Sequence, residues 1–281
     1  MKELSIGYSP CPNDTFLFYP MIHAAIDTEG YRFEPVLEDV ETLNRWALEG
    51  RLPLTKASYG VVAGVRPRYW CLRSGGALGR GCGPLVVARE DRPLADLARG
   101  RLAVPGLHTT ANTLLDLRLG GPAEKVFMVF HEIMPAVARG EVDAGVIIHE
   151  GRFTYREWGL VAVEDLGEWW ERKTGHPIPL GAILLRRDLE GVDPLAIERV
   201  VRRSAEYALA HPEEPMSYVR RHAQELEERV ILEHIRLYVN RFSVDLGEEG
   251  TRAVEAFLAR KETQEDTAGF EPPTFLPATA A

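Results

Sequence analysis

The sequence predicts an α/β protein of two lobes, each a sheet flanked by helices, with a ligand cleft between them. Three observations carry that expectation. Strand-like and helix-like segments alternate over the first third, the alternation starts afresh near residue 92, and two apolar crossing strands, 84–88 and 179–185, join the halves. Alternation of this kind gives a parallel sheet with covering helices. The expected lobes are 1–88 with 186–281 for the first, discontinuous in sequence, and 89–185 for the second. At 281 residues and 45% apolar content the chain is long enough to fill two such units.

The first element is a short apolar strand at 3–8 that breaks on Pro10 and Pro12. Proline removes a backbone donor and pushes the preceding residue toward extended geometry, so residues 9–12 form an elbow. Asn13 and Asp14 then read as N-caps of a helix over 14–26, whose apolar residues recur at roughly helical spacing. In open α/β sheets ligands sit beyond the carboxyl ends of strands, where helix N-termini present free N–H groups. The first loop, with Asn13 and Asp14, is therefore a candidate ligand wall.

A strand at 31–37, a helix at 40–49, a short strand at 52–56 and a helix at 57–65 follow. Lys56-Ala57-Ser58 falls at the last of these strand-to-helix junctions. One reading is a solvent-facing lysine with Ser58 as an ordinary cap; the other is an ammonium and hydroxyl pair facing the cleft. Lysine is scarce here, at Lys2, Lys56, Lys125, Lys173 and Lys261 only, which draws attention to one inside an apolar stretch. After a strand at 69–73, the glycines of 75–83 lead into a strand and open no helix, so they do not form a dinucleotide loop and read as a flexible entry to the crossover.

The second alternation runs helix 94–98, strand 101–104, a helix from Thr109, strand 125–129, helix 133–138 and strand 142–148. Thr109 and Thr110 stand at a strand-to-helix turn that can hold a carboxylate or phosphate through N–H groups and hydroxyls; simple N-capping is the alternative. His149 ends the apolar run 142–148. Its residue type suits general base work near neutrality, and a core or capping histidine is the competing reading. Strand 161–163, helix 164–172 and strand 178–185 complete this half. Residues 194–260 are helical, broken at 211–212 and 245–247, and 263–281 reads as a fraying tail. Cys11, without a histidine near it in sequence, reads as packing, as do Trp46, Trp169 and Trp170.

A formal charge of −9 excludes a nucleic-acid backbone as partner, and no apolar stretch is long enough to span a bilayer. Three cysteines without metal-type spacing fit a reducing compartment, so a cytosolic protein is expected. Neither His131-Glu132 nor His149-Glu150 has a second histidine four residues after the first, and no metal site is expected.

The loop Ser9-Pro-Cys-Pro-Asn-Asp-Thr-Phe16, Lys56-Ala57-Ser58, the Gly75–Gly83 crossover, His108-Thr-Thr-Ala111 and Ile147-Ile-His149-Glu150 together resemble the dihydroxynaphthoate synthase family of the futalosine route to menaquinone. The resemblance extends to about residue 260. It implies a type II periplasmic-binding-protein-like fold turned into a lyase that cleaves cyclic dehypoxanthine futalosine to 1,4-dihydroxy-6-naphthoate without cofactor or metal. It also implies His149 as proton acceptor, and Lys56, Ala57, Ser58, Thr109 and Thr110 as contacts to a small-molecule carboxylate substrate. The competing expectations are a chorismate dehydratase-like enzyme of the same route and a non-catalytic small-anion binding protein. Monomer and homodimer both remain open.

Overall fold

The computed structural model describes residues 1–223, 227–262 and 273–276. The chain opens with β1 (Lys2–Tyr8), α1 (Pro12–Ile22), β2 (Tyr31–Leu37), α2 (Val40–Glu49), β3 (Leu54–Ser58), α3 (Tyr59–Val65), β4 (Tyr69–Cys71) and β5 (Ala77–Gly79). It continues through β6 (Leu85–Ala88), α4 (Leu94–Leu97), β7 (Arg101–Val104), α5 (Thr110–Leu119), β8 (Glu124–Phe127), α6 (Phe130–Ala138) and β9 (Ala144–Ile147). Next come α7 (Gly151–Thr154), a 3-10 turn (Tyr155–Trp158), β10 (Val161–Asp165), α8 (Leu166–Thr174) and β11 (Ile178–Arg186). The helices α9 (Pro194–Ala210), α10 (Met216–His222), α11 (Glu228–Tyr238), α12 (Arg241–Val244) and α13 (Gly247–Glu262) follow.

Two mixed sheets result. The first has the order β2-β1-β3-β11-β4, with β5 also paired to β11; the second has the order β10-β6-β9-β7-β8. Within the first, β1 is parallel to β2 and β3, and β11 runs antiparallel to β3. Within the second, β7 is parallel to β8 and β9, and β6 runs antiparallel to β9 and β10. The crossing strands therefore lie on the other side of the expected boundaries at 88 and 185. β6 hydrogen-bonds in the second sheet and β11 in the first, because a crossover strand is claimed by the sheet that satisfies its backbone groups.

Leu4, Ile6 and Tyr8 of β1 pack with Phe18 and Met21 of α1 and Val200 and Val201 of α9 on one face of the first sheet. A larger core joins Val61, Val86, Leu114, Trp170 and Phe257, drawing on both sheets. Trp170 and Phe257 meet edge to face at 5.6 Å, so α8 and α13 are pinned together by two buried aromatic rings. Trp170 is core packing, as read from sequence; Trp46 is half-buried beneath the Arg51 guanidinium.

Several local expectations are corrected. α1 starts at Pro12, with Cys11 in the N-cap position, so Asn13 and Asp14 lie inside the first turn. Proline at the first helical position loses no bond there and sets the helical φ, which moves the start forward. The helix ends at Ile22, where the His23 N–H closes on Tyr19 O and Ala24 turns to φ 52°. Lys56 and Ser58 lie within β3, and the glycine segment contains the buried strand β5. The C-terminal helices break additionally at Ala223 and at Val239–Asn240. Of the supposed tail, 273–276 is described and lies against the fold: Cys71 N–H donates to Thr274 O (2.7 Å), and Phe275 and Leu276 are buried. The remainder of 263–281 lies outside the described residues. No described helix is long and apolar enough to cross a membrane.

Candidate active site

A cavity of about 630 Å³ opens between the two sheets. Its walls include Asn13, Lys56, Ala57, Ser58, Thr109, Thr110 and His149, seven of the eight residues singled out from sequence. The eighth, Asp14, stands behind that wall and is 1% exposed.

Asp14 holds Lys56. The ammonium makes an ion pair with Asp14 Oδ1, which also accepts from Asn13 Nδ2 at 2.7 Å; Oδ2 accepts from Ser9 Oγ at 2.7 Å and Ser9 N at 3.3 Å. Lys56 is only 8% exposed, so the solvent-facing reading is set aside. A charge this far from water is tolerated because it is paired and its partner is itself hydrogen-bonded. Gly181, opposite Ser58 in the β11–β3 register, makes room for it: a Cβ there would stand 2.9 Å from Lys56 Cε.

Ser58 occupies the N-cap position of α3 without a side-chain cap. Asn44, a residue that sequence reasoning passed over, takes both of its groups: the Ser58 N–H donates to Asn44 Oδ1 (2.8 Å), and Asn44 Nδ2 donates to Ser58 Oγ (3.1 Å). That leaves the hydroxyl proton of Ser58 free for a ligand.

The two threonines divide their duties. Thr109 caps α5, accepting from Asn112 N (3.1 Å) and donating to Gly106 O (2.8 Å). Thr110 ties the sheets together, donating to Leu180 O (2.9 Å) and accepting from Gly60 N (3.2 Å). Both hydroxyl protons are thereby given to carbonyls. A carboxylate accepts and cannot donate, and Asn112 N–H is taken by Thr109, so of the N–H groups and hydroxyls in the sequence reading the donors this turn offers are the N–H groups of Thr110 and Ala111. Nearby, Glu41 of α2 accepts from His108 N at 3.2 Å, a second tie across the cleft.

His149 stands just past β9 with φ 55°, a left-handed backbone that few side-chain-bearing residues adopt. Arg152, three residues on, anchors the turn by donating to Gly83 O and Asp165 Oδ2, each at 2.7 Å. Nδ1 of His149 lies 3.4 Å from Cys11 Sγ. Cys11 is thus no bystander: the elbow of the first loop touches the histidine of the second sheet. Burial is the main force on both groups. It raises the Cys11 thiol well above its ordinary value and lowers the His149 imidazole to about 4, with Asp14 opposing and Lys56 reinforcing that fall. At neutral pH the imidazole is uncharged and can accept a proton.

A family model described as "Menaquinone biosynthesis" matches residues 4–263. The chain belongs to this menaquinone biosynthesis family. It is 58% identical over 278 residues to the 1,4-dihydroxy-6-naphtoate synthase of Thermus thermophilus, covering 98% of this chain and 100% of that one. It is 46% identical over 262 residues to the enzyme of the same name from Streptomyces coelicolor, covering 92% of each. In architecture it resembles the alkanesulfonate-binding protein of Xanthomonas axonopodis pv. citri, with a TM-score of 0.68 at 14% identity over 94% of this chain and 92% of that one. The fold is that of type II periplasmic binding proteins, as expected.

Among the described residues, Cys11, His149 and Glu150 place ligand-type atoms within 4.8 Å of one another. Spacing in sequence could not show this, since Cys11 comes from the other sheet. The protonated thiol favoured by burial is a poor metal ligand, because metals bind the thiolate.

Proposed function

We propose that this cleft cleaves cyclic dehypoxanthine futalosine to 1,4-dihydroxy-6-naphthoate, with His149 as the proton acceptor. The chain is an enzyme of menaquinone biosynthesis, a 1,4-dihydroxy-6-naphthoate synthase by membership and by its identity to two enzymes of that name. The observation that carries the residue assignment is the His149 imidazole on the cavity wall, in the left-handed turn that follows β9. Its Nδ1 is occupied by Cys11, and no hydrogen bond among the described residues engages Nε2.

With Nδ1–H donating to the Cys11 sulfur, Nε2 carries the lone pair and takes a proton from a substrate hydroxyl or carbon. Carbon–carbon cleavage then follows, drawn forward by aromatisation of the naphthoate ring. The substrate carboxylate is received by Lys56, the Ser58 hydroxyl and the N–H groups at the start of α5. General base catalysis contributes about 10²–10⁴-fold, so orientation in the closed cleft supplies much of the remainder.

The test is a product assay on the wild type and His149→Asn, with circular dichroism to establish that the variant folds. Naphthoate release by the wild type and loss of turnover in a folded variant are expected. Retained turnover in the variant would remove His149 from the chemistry, and absence of product from the wild type would remove the substrate.

A further inference from the structure

A second histidine lines the cavity. His234 lies on the buried stripe of α11 with Val230, Ile231 and Tyr238, and its side chain is 0% exposed. Neither Nδ1 nor Nε2 has a hydrogen-bond partner among the described residues. Its ring contacts are aromatic, with centroids of His149 at 6.2 Å, Phe153 at 6.5 Å and Tyr238 at 4.6 Å.

A neutral imidazole carries one donor and one acceptor, and buried polar groups in folded proteins almost always find partners. A histidine kept for packing would be hydrogen-bonded to the helices around it or replaced by a leucine. His234 is neither, and it is one of the residues that line the cavity. Burial first, then His149 and the Lys56 ammonium, hold its pKa well below the ordinary histidine value. The ring stays uncharged, which ill suits it to a carboxylate. It suits an uncharged oxygen, giving N–H to a carbonyl or both giving to and taking from a hydroxyl.

We propose that His234 is a second ligand-contacting histidine, hydrogen-bonding a neutral hydroxyl or carbonyl oxygen of the substrate next to the atoms served by His149. This rests on the assignment of the cleft as the substrate site. At 6.2 Å between ring centroids the two imidazoles address the same or adjacent polar atoms of one ligand. The carboxylate is met elsewhere, at Lys56, Ser58 and α5, so the cavity separates recognition of charge from recognition of neutral oxygens.

The experiment compares His234→Leu and His234→Gln with the wild type by thermal melting, steady-state kinetics and histidine ring ¹⁵N spectra. The leucine variant is expected to melt at or above the wild-type temperature, since it removes an unpartnered polar group, while kcat/KM falls about 10- to 100-fold. Glutamine, which keeps a donor and an acceptor, is expected to retain more activity than leucine. The His234 ring resonance, assigned by its loss in the variants, should move on adding 1,4-dihydroxy-6-naphthoate and stay in place on adding 2-naphthoate. A leucine variant within twofold of wild-type kcat/KM, a fall in melting temperature that tracks the activity, or equal or absent shifts with the two naphthoates would each overturn the proposal. A moving His234 resonance in a wild type that forms no product would instead reject the reaction and keep the contact.

Discussion

Cys11 Sγ and His149 Nδ1 stand 3.4 Å apart, joining the elbow of the first loop to the strand end of the second sheet across 138 residues of chain. The contact couples the imidazole tautomer to Cys11: in the Nδ1–H tautomer the sulfur accepts and Nε2 is left as the base that the proposed function requires. Cys11→Ala is expected to lower kcat by about 2- to 10-fold, the worth of one net hydrogen bond, with little change in KM. Because burial keeps the thiol protonated, alkylation of Cys11 at neutral pH should be slow, as labelling with iodoacetamide followed by mass spectrometry would show.

The pH dependence follows from the same burial. With the His149 value lowered from 6.5 to about 4, the base form persists through mildly acidic solution. The acid limb of kcat/KM is expected near pH 4, and a midpoint at 6.5 would contradict the burial of the ring. Stability carries the complementary sign. Between pH 6.5 and about 4 the unfolded chain takes up a proton that the folded protein refuses, so folding weakens as pH falls. The slope is about 1.4 kcal/mol per pH unit for one such histidine, and His234, shifted in the same direction, adds to it. Urea unfolding as a function of pH measures this.

Removing one partner of the Lys56–Asp14 pair strands the other charge away from water. Asp14→Asn is expected to cost about 3–5 kcal/mol in urea unfolding. The double variant Asp14→Asn, Lys56→Met should regain most of that stability without regaining turnover, since in the proposed site the ammonium receives the substrate carboxylate. Recovery of activity in the double variant would assign the pair a purely structural role.

Gly60 allows the two sheets to approach at Thr110. A Cβ at position 60 would stand 2.7 Å from His108 O and 2.8 Å from Thr109 O, both backbone atoms that cannot swing aside. Gly60→Ala is expected to destabilise the protein by about 1–3 kcal/mol and to raise KM, because the α5 N-terminus is pushed from the cavity. Thermal melting with substrate titration checks both.

Much of the architecture is visible in sequence because alternation, proline elbows and apolar runs act locally. β1, β2, α2 and β7 fall where their periodicity places them. What stays hidden is relational. Which sheet claims β6 or β11 depends on partners distant in sequence. The burial of Lys56 depends on Asp14, 42 residues away, and on the space left by Gly181. Thr109 and Thr110 look alike in sequence, yet only their neighbours make one a cap and the other a bridge. His234 looks like an ordinary residue of an amphipathic helix; its one signal is a histidine on the apolar stripe between Val230 and Tyr238.

The short stretch 273–276 has a practical consequence. β4 ends the path of the first sheet, and its outer side is where Phe275 bridges Cys71, with Arg187 donating to Pro273 O at 2.5 Å and the Arg73 guanidinium 4.9 Å from the Phe275 ring. A bare strand edge is a template for pairing with another molecule. These four residues cover that edge, and their removal is expected to lay it bare. A version truncated after Glu262 should aggregate in a concentration-dependent way, and affinity tags are better carried at the other end of the chain.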